Sequence, residues 1–165
     1  MLLVFATFYK NMIASIRGKM VKALIFDLDE TLCNRQATMK SFLSEQYIRF
    51  ESQLTVSREE FISENLLEQN NGYTEKTIAF TNFCEKRFQD KNLPQKLFND
   101  YIENYGSNAV AIEGAATLLN SLVDKYTLAM ITNGKTACQN KKIDSLGIRK
   151  FFKTIKISQQ EGIAK

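Results

Sequence analysis

Residues Ala23–Leu32 read ALIFDLDETL, a near-continuous apolar run that turns acidic, with Asp27, Asp29 and Glu30 inside four positions. Val21 to Leu28 is rich in Val, Ile, Leu and Phe without clean alternation. That is the pattern of a parallel strand covered on both faces. In open parallel sheets, ligands bind just beyond the carboxyl ends of the strands. The spacing therefore predicts that Asp27 and Asp29 face a crevice while the residues before them stay in the core. Two carboxylates so close repel one another unless a cation lies between them or one carries a proton. A hard, oxygen-ligated ion such as Mg²⁺ suits that position.

Beyond this strand the period changes. From about Gln36 to Tyr105 apolar residues fall at helical spacing: Phe42, Leu43, Tyr47 and Phe50; then Phe61, Ile62 and Leu66 after a capping box formed by Ser57 and Glu60; then Phe80, Phe83, Cys84 and Phe88; then Leu97, Tyr101 and Ile102 after Pro94, the only proline. These stripes are expected to pack against one another as a helical core. Past Gly106 the rhythm is that of an α/β unit, with a helix over 114–125, a strand over 126–132, a helix over 135–146 stopped by Gly147, and a strand over 153–158. The fold class expected is α/β, a Rossmann-like parallel sheet with an inserted α-helical module.

Two more strand ends carry chemistry. In ITNG, Ile131–Gly134, Thr132 offers a hydroxyl, and Asn133 and Gly134 offer backbone N–H groups at a helix start, a cradle for an anion. In SQQEGIAK, Lys165 follows the last strand and is placed to neutralise a phosphate or a nucleophilic carboxylate.

FDLDETL, ITNG and FFKTIKISQQEGIAK together resemble motifs one, two and three of the haloacid dehalogenase-like hydrolase superfamily, in the branch with a helical cap inserted after motif one. The resemblance runs from Val21 to Lys165. It implies residues 20–35 and 106–165 as the core, 36–105 as the cap and 1–19 as an N-terminal extension. It implies a phosphatase acting on a small phosphorylated metabolite, with Asp27 as the nucleophile that forms an aspartyl-phosphate and Asp29 as general acid/base. Thr31 would support the turn, Thr132, Asn133 and Gly134 would hold the phosphoryl oxygens, and Lys165 would balance charge. Mg²⁺ would be held by Asp27 and by Asp29 through its carbonyl. An acid at position 29 favours phosphatase over dehalogenase, because an alkoxide needs a proton to leave and a halide does not. Glu30 stands where many relatives carry glycine. The family's fourth motif, an acidic pair that completes the Mg²⁺ site, has no counterpart before Lys165. The resemblance thus implies an incomplete enzyme with weak Mg²⁺ binding, slow turnover, and ALIF as an unpaired apolar edge. A non-catalytic scaffold derived from the same fold is the alternative; a receiver-type signalling module lacks the DxDxT spacing and the large insert.

Bulk properties set the frame. The 165 residues are 44% hydrophobic, enough for one domain with an inserted module. Lys and Arg total 22 against 18 acids, and the net charge of +4 is spread out, so no nucleic-acid partner is expected. Cys33, Cys84 and Cys138 form no CxxC and no histidine accompanies them, which points to inert thiols in a reducing cytoplasm. MLLVFATF is far shorter than the ~20 residues that span a bilayer and lacks the flanks of a secretory signal, so no membrane partner is expected. Met20, directly before VKALIFDL, is the expected start of translation.

Overall fold

A computed structural model describes residues 21–164. The extension 1–19, the start at Met20 and Lys165 lie outside the described residues. Three strands, β1 (Ala23–Phe26), β2 (Thr127–Thr132) and β3 (Thr154–Ile157), form one parallel sheet in the order β1-β2-β3. Phe26 stands opposite Met130, and Thr132 opposite Ile157. All three strands therefore end on the same rim. Between β1 and β2 come α1 (Arg35–Phe50), α2 (Arg58–Glu68), α3 (Lys76–Glu85), α4 (Leu93–Asn104) and α5 (Ala115–Leu122). Helix α6 (Thr136–Ser145) joins β2 to β3, and the single turn α7 (Ser158–Glu161) follows β3. This is the α/β, Rossmann-like parallel architecture with a helical insert.

Strand β1 is shorter than the apolar run and is not covered on both faces. Its residues alternate in exposure, and Ile25 is 67% exposed. The reason is position: among the described residues β1 hydrogen-bonds only to β2, so it forms the sheet edge.

The helices start and stop where local chemistry dictates. Ser57 and Glu60 form the expected capping box on α2: the Glu60 N–H donates to Ser57 Oγ (3.2 Å), and the Ser57 N–H to Glu60 Oε2 (2.8 Å). Asn34 caps α1, its Oδ1 accepting from the Ala37 N–H at 2.9 Å. Pro94 sits in the first turn of α4, where its missing N–H costs nothing. Gly147 follows α6 at φ 64°, a left-handed end that other residues resist.

Two apolar clusters result. Phe42, Leu43, Phe61, Phe80, Phe83 and Leu97 centre one among α1–α4; Leu28, Leu32, Leu119, Leu128, Met130 and Ile143 centre the other beneath the sheet. The helical stripes pack as expected save Ile102, which is 46% exposed. Chain entry and exit for the helical insert lie side by side. Cys33 and Ala111 form an antiparallel bridge, with the Asn34 N–H on the Val110 carbonyl (2.8 Å) and the Ile112 N–H on the Leu32 carbonyl (2.9 Å). Among the described residues no helix is long and apolar enough to cross a membrane.

Candidate active site

The acidic turn after β1 is built around one carbonyl. Leu28 is fully buried, and its oxygen accepts the N–H groups of Thr31 (3.3 Å), Leu32 (2.9 Å) and Cys33 (2.9 Å). None of these turn bonds uses the carbonyl of Asp29, and the chain reverses so tightly that Glu30 takes φ 59°. A left-handed non-glycine residue costs roughly 1–2 kcal/mol. The Glu30 carboxylate offsets part of this by accepting the Arg35 N–H at 2.9 Å, at the start of α1. Asp27 and Asp29 are thereby both left half-buried at the sheet rim, with Asp27 Oδ1 accepting the Leu28 N–H at 2.7 Å.

Helix α6 supplies what the sequence alone does not reveal. Lys142 and Gln139, three residues apart on one face, both reach Asp29: Lys142 Nζ lies 2.7 Å from Oδ1, and Gln139 Nε2 lies 2.9 Å from Oδ2. The lysine side chain is only 5% exposed and rests over the Tyr105 ring at 5.2 Å. The Gln139 amide also donates to Thr132 Oγ1 (2.7 Å) and to the Asn133 carbonyl (2.9 Å). One side chain thus ties the end of β1 to the end of β2. Gly134 stands over it at φ 140°, where a Cβ would meet the Gln139 side chain at 3.1 Å.

Of the residues singled out by sequence, Asp27, Asp29, Thr132, Asn133 and Gly134 share this rim. Thr132 is buried, its hydroxyl under Gln139. The Gly134 N–H, expected to cradle an anion, donates to Ser158 Oγ at 2.9 Å, and the Thr136 N–H donates to Gln159 Oε1 at 2.8 Å, so α7 is tied to the start of α6. Thr31 is exposed and joins the turn through its N–H. Gln139 and Lys142 escaped sequence reasoning; the one signal was a pair of polar residues spaced to share a face with Ile143.

A cavity of about 720 Å³ opens between this rim and the helical insert. Asp29, Asn133 and Gly134 line it from the sheet side, and Phe98 and Tyr101 from the insert. Arg35 and Lys76 add positive charge, with burial, then the nearby Arg35, holding the Lys76 ammonium below the usual lysine range. Burial pushes the Cys33 and Cys138 thiols up and the Cys84 thiol up to about 12, as expected of inert thiols.

The oxygen donors at the turn, the Asp27 carboxylate and the Asp29 carbonyl, have the hard character that Mg²⁺ prefers. Among the described residues no cluster of three or more His, Cys, Asp or Glu side chains completes a metal cage. The donors fit the ion in kind, and they are few.

Comparison with known proteins agrees with this arrangement. The pyrimidine 5'-nucleotidase YjjG of Escherichia coli strain K12 is 28% identical over 150 residues, which cover 86% of this chain and 64% of that protein. The chain therefore spans just under two thirds of that relative. The magnesium-bound orthorhombic crystal form of YfnB from Bacillus subtilis superposes with a TM-score of 0.69 at 21% identity, covering 89% of this chain and 68% of that one. A HAD family hydrolase from Deinococcus radiodurans R1, with bound phosphate and sodium, gives 0.57 at 16% identity, over 86% and 60% of the two chains. Residues 24–165 match the haloacid dehalogenase-like hydrolase family, nearly the whole chain, and with the strand order and acidic turn above this establishes that the chain belongs to that family.

Proposed function

We propose that the chain is a Mg²⁺-dependent phosphatase which hydrolyses a small phosphate monoester through an aspartyl-phosphate on Asp27. The observation that carries this is the rim itself, where two acids of a DxD turn stand beside Thr132 and the second acid is clasped by Lys142 and Gln139. Asp27 Oδ attacks phosphorus, and the ester oxygen leaves with a proton supplied by Asp29. Asp29 then removes a proton from the water that attacks the aspartyl-phosphate, restoring Asp27 and releasing phosphate. Proton transfer of this kind is worth roughly 10²–10⁴-fold. Mg²⁺, held by the Asp27 carboxylate and the Asp29 carbonyl, would supply charge that offsets repulsion between an anionic nucleophile and an anionic ester. Lys165 would add to that charge from the family's third motif.

The insert over residues 36–105 serves in this reading as a cap that selects the leaving group. The likeness to a pyrimidine 5'-nucleotidase, a cavity of about 720 Å³, and aromatic walls from Phe98 and Tyr101 support a nucleoside monophosphate as substrate. The inert thiols suit the reducing cytoplasm.

Purified protein incubated with Mg²⁺ and either p-nitrophenyl phosphate or uridine 5'-monophosphate is expected to release inorganic phosphate, and the Asp27→Asn variant to release none. Undiminished release by Asp27→Asn ends the nucleophile assignment. No release by the unaltered chain, with orthophosphate still bound, favours the non-catalytic scaffold.

A further inference from the structure

Across the cavity from Asp29, the wall carries a polar atom that the hydrolytic chemistry does not use. Gln69 closes α2 and is only 3% exposed. Its backbone is satisfied: the N–H donates to the Asn65 carbonyl at 3.1 Å, and the carbonyl accepts the Gly72 N–H at 2.7 Å and the Thr74 N–H at 3.3 Å. Its side-chain Nε2 is buried with no hydrogen-bond partner among the described residues, yet Gln69 lines the cavity. A buried amide donor left unmatched is costly, so it calls for an acceptor. Asn65, one turn earlier, is also fully buried, with Oδ1 unmatched and Nδ2 on the Phe61 carbonyl at 2.8 Å, but it does not line the cavity. On the same wall, the rings of Phe98 and Tyr101 lie within 24° of parallel, with centroids 6.4 Å apart. Such a surface suits a flat ring.

We propose that Gln69 determines leaving-group specificity, its side chain turning on binding so that Nε2 donates to a carbonyl oxygen or ring nitrogen of a planar heterocycle, of which a nucleobase is the nearest chemical class. This rests on the phosphatase reading for why such a ring enters the cavity, and binding alone tests it. The probes are uridine, which carries the ring without the phosphate, and inorganic phosphate, which carries the reverse.

In protein-observed NMR of the ¹⁵N-labelled protein, uridine is expected to bind the unaltered protein and to shift the Gln69 side-chain amide resonances. Gln69→Met and Gln69→Glu, which remove the donor at similar size, are expected to weaken uridine by about tenfold, the upper range for one neutral hydrogen bond. Both variants are expected to bind inorganic phosphate as before. Equal uridine affinity in the variants, an unshifted Gln69 amide, or no uridine binding at all overturns the proposal and leaves the amide to turn inward toward Asn65. Should both variants fail to fold, the amide shift in the unaltered protein decides. Gln69-dependent uridine binding without any binding of inorganic phosphate would instead count against the phosphatase reading and leave this inference standing.

Discussion

At the level of single residues, Lys142 and Asp29 form a pair in which the cation is the more deeply buried partner, at 5% against 27% side-chain exposure. That asymmetry decides which substitution hurts more. Asp29→Asn strands an ammonium group in the interior and is expected to cost about 3 kcal/mol. Lys142→Met leaves a half-exposed carboxylate that Gln139 still serves, and is expected to cost about 1 kcal/mol. The double variant is expected to lose less than the sum, with a coupling of about 2 kcal/mol in urea denaturation; additive costs would show that the two do not act as a pair. Asp27, Asp29 and Thr132 were legible because strand ends in a parallel sheet are where polar residues must have a use. Gln139 and Lys142 were not, since a polar residue on a helix ordinarily faces water and only the docking of α6 against the turn after β1 shows otherwise.

Secondary-structure elements followed the sequence wherever a stop or start signal was present. The capping box at Ser57, the proline near the start of α4 and the glycine after α6 all mark real boundaries. Helix α7 and the short 3₁₀ turn at Tyr105–Asn108 were missed, because four residues are too few to show a period. That 3₁₀ turn nonetheless governs how the insert meets the sheet layer. A Cβ on Gly106 would lie 2.7 Å from both the Cys138 carbonyl oxygen and Lys141 Cβ, so glycine alone permits the approach to α6. Gly106→Ala is expected to lower stability by about 2–3 kcal/mol. Gly114→Ala, at φ 80° but in open space, is expected to lose only about 1 kcal/mol, from backbone strain. Thermal melts of the two variants side by side would test this, and equal losses would argue against close packing at Gly106.

For the molecule as a whole, the apolar edge anticipated from ALIF is present: β1 has a strand on one side only among the described residues, with Val21 40% and Ile25 67% exposed. Such an edge offers unpaired backbone groups beside apolar surface. The 165-residue protein is expected to self-associate as its concentration rises, and Ile25→Lys to shift it toward monomer in sedimentation velocity. A concentration-independent monomer would contradict this. The α/β class was readable from the change of period near Gln36 and again near Gly106. The exposure of β1 ran against its strand pattern alone, because a run of apolar residues reports a strand without reporting how many neighbours cover it. Everything between Asn34 and Val110, meanwhile, enters and leaves through the ladder at Cys33 and Ala111. That doorway is not the insert's sole anchor, since Gly106 docks on α6 and Tyr105 underlies the Lys142 that holds Asp29, so any rearrangement of the insert is transmitted to the second acid through that ring and that ammonium group.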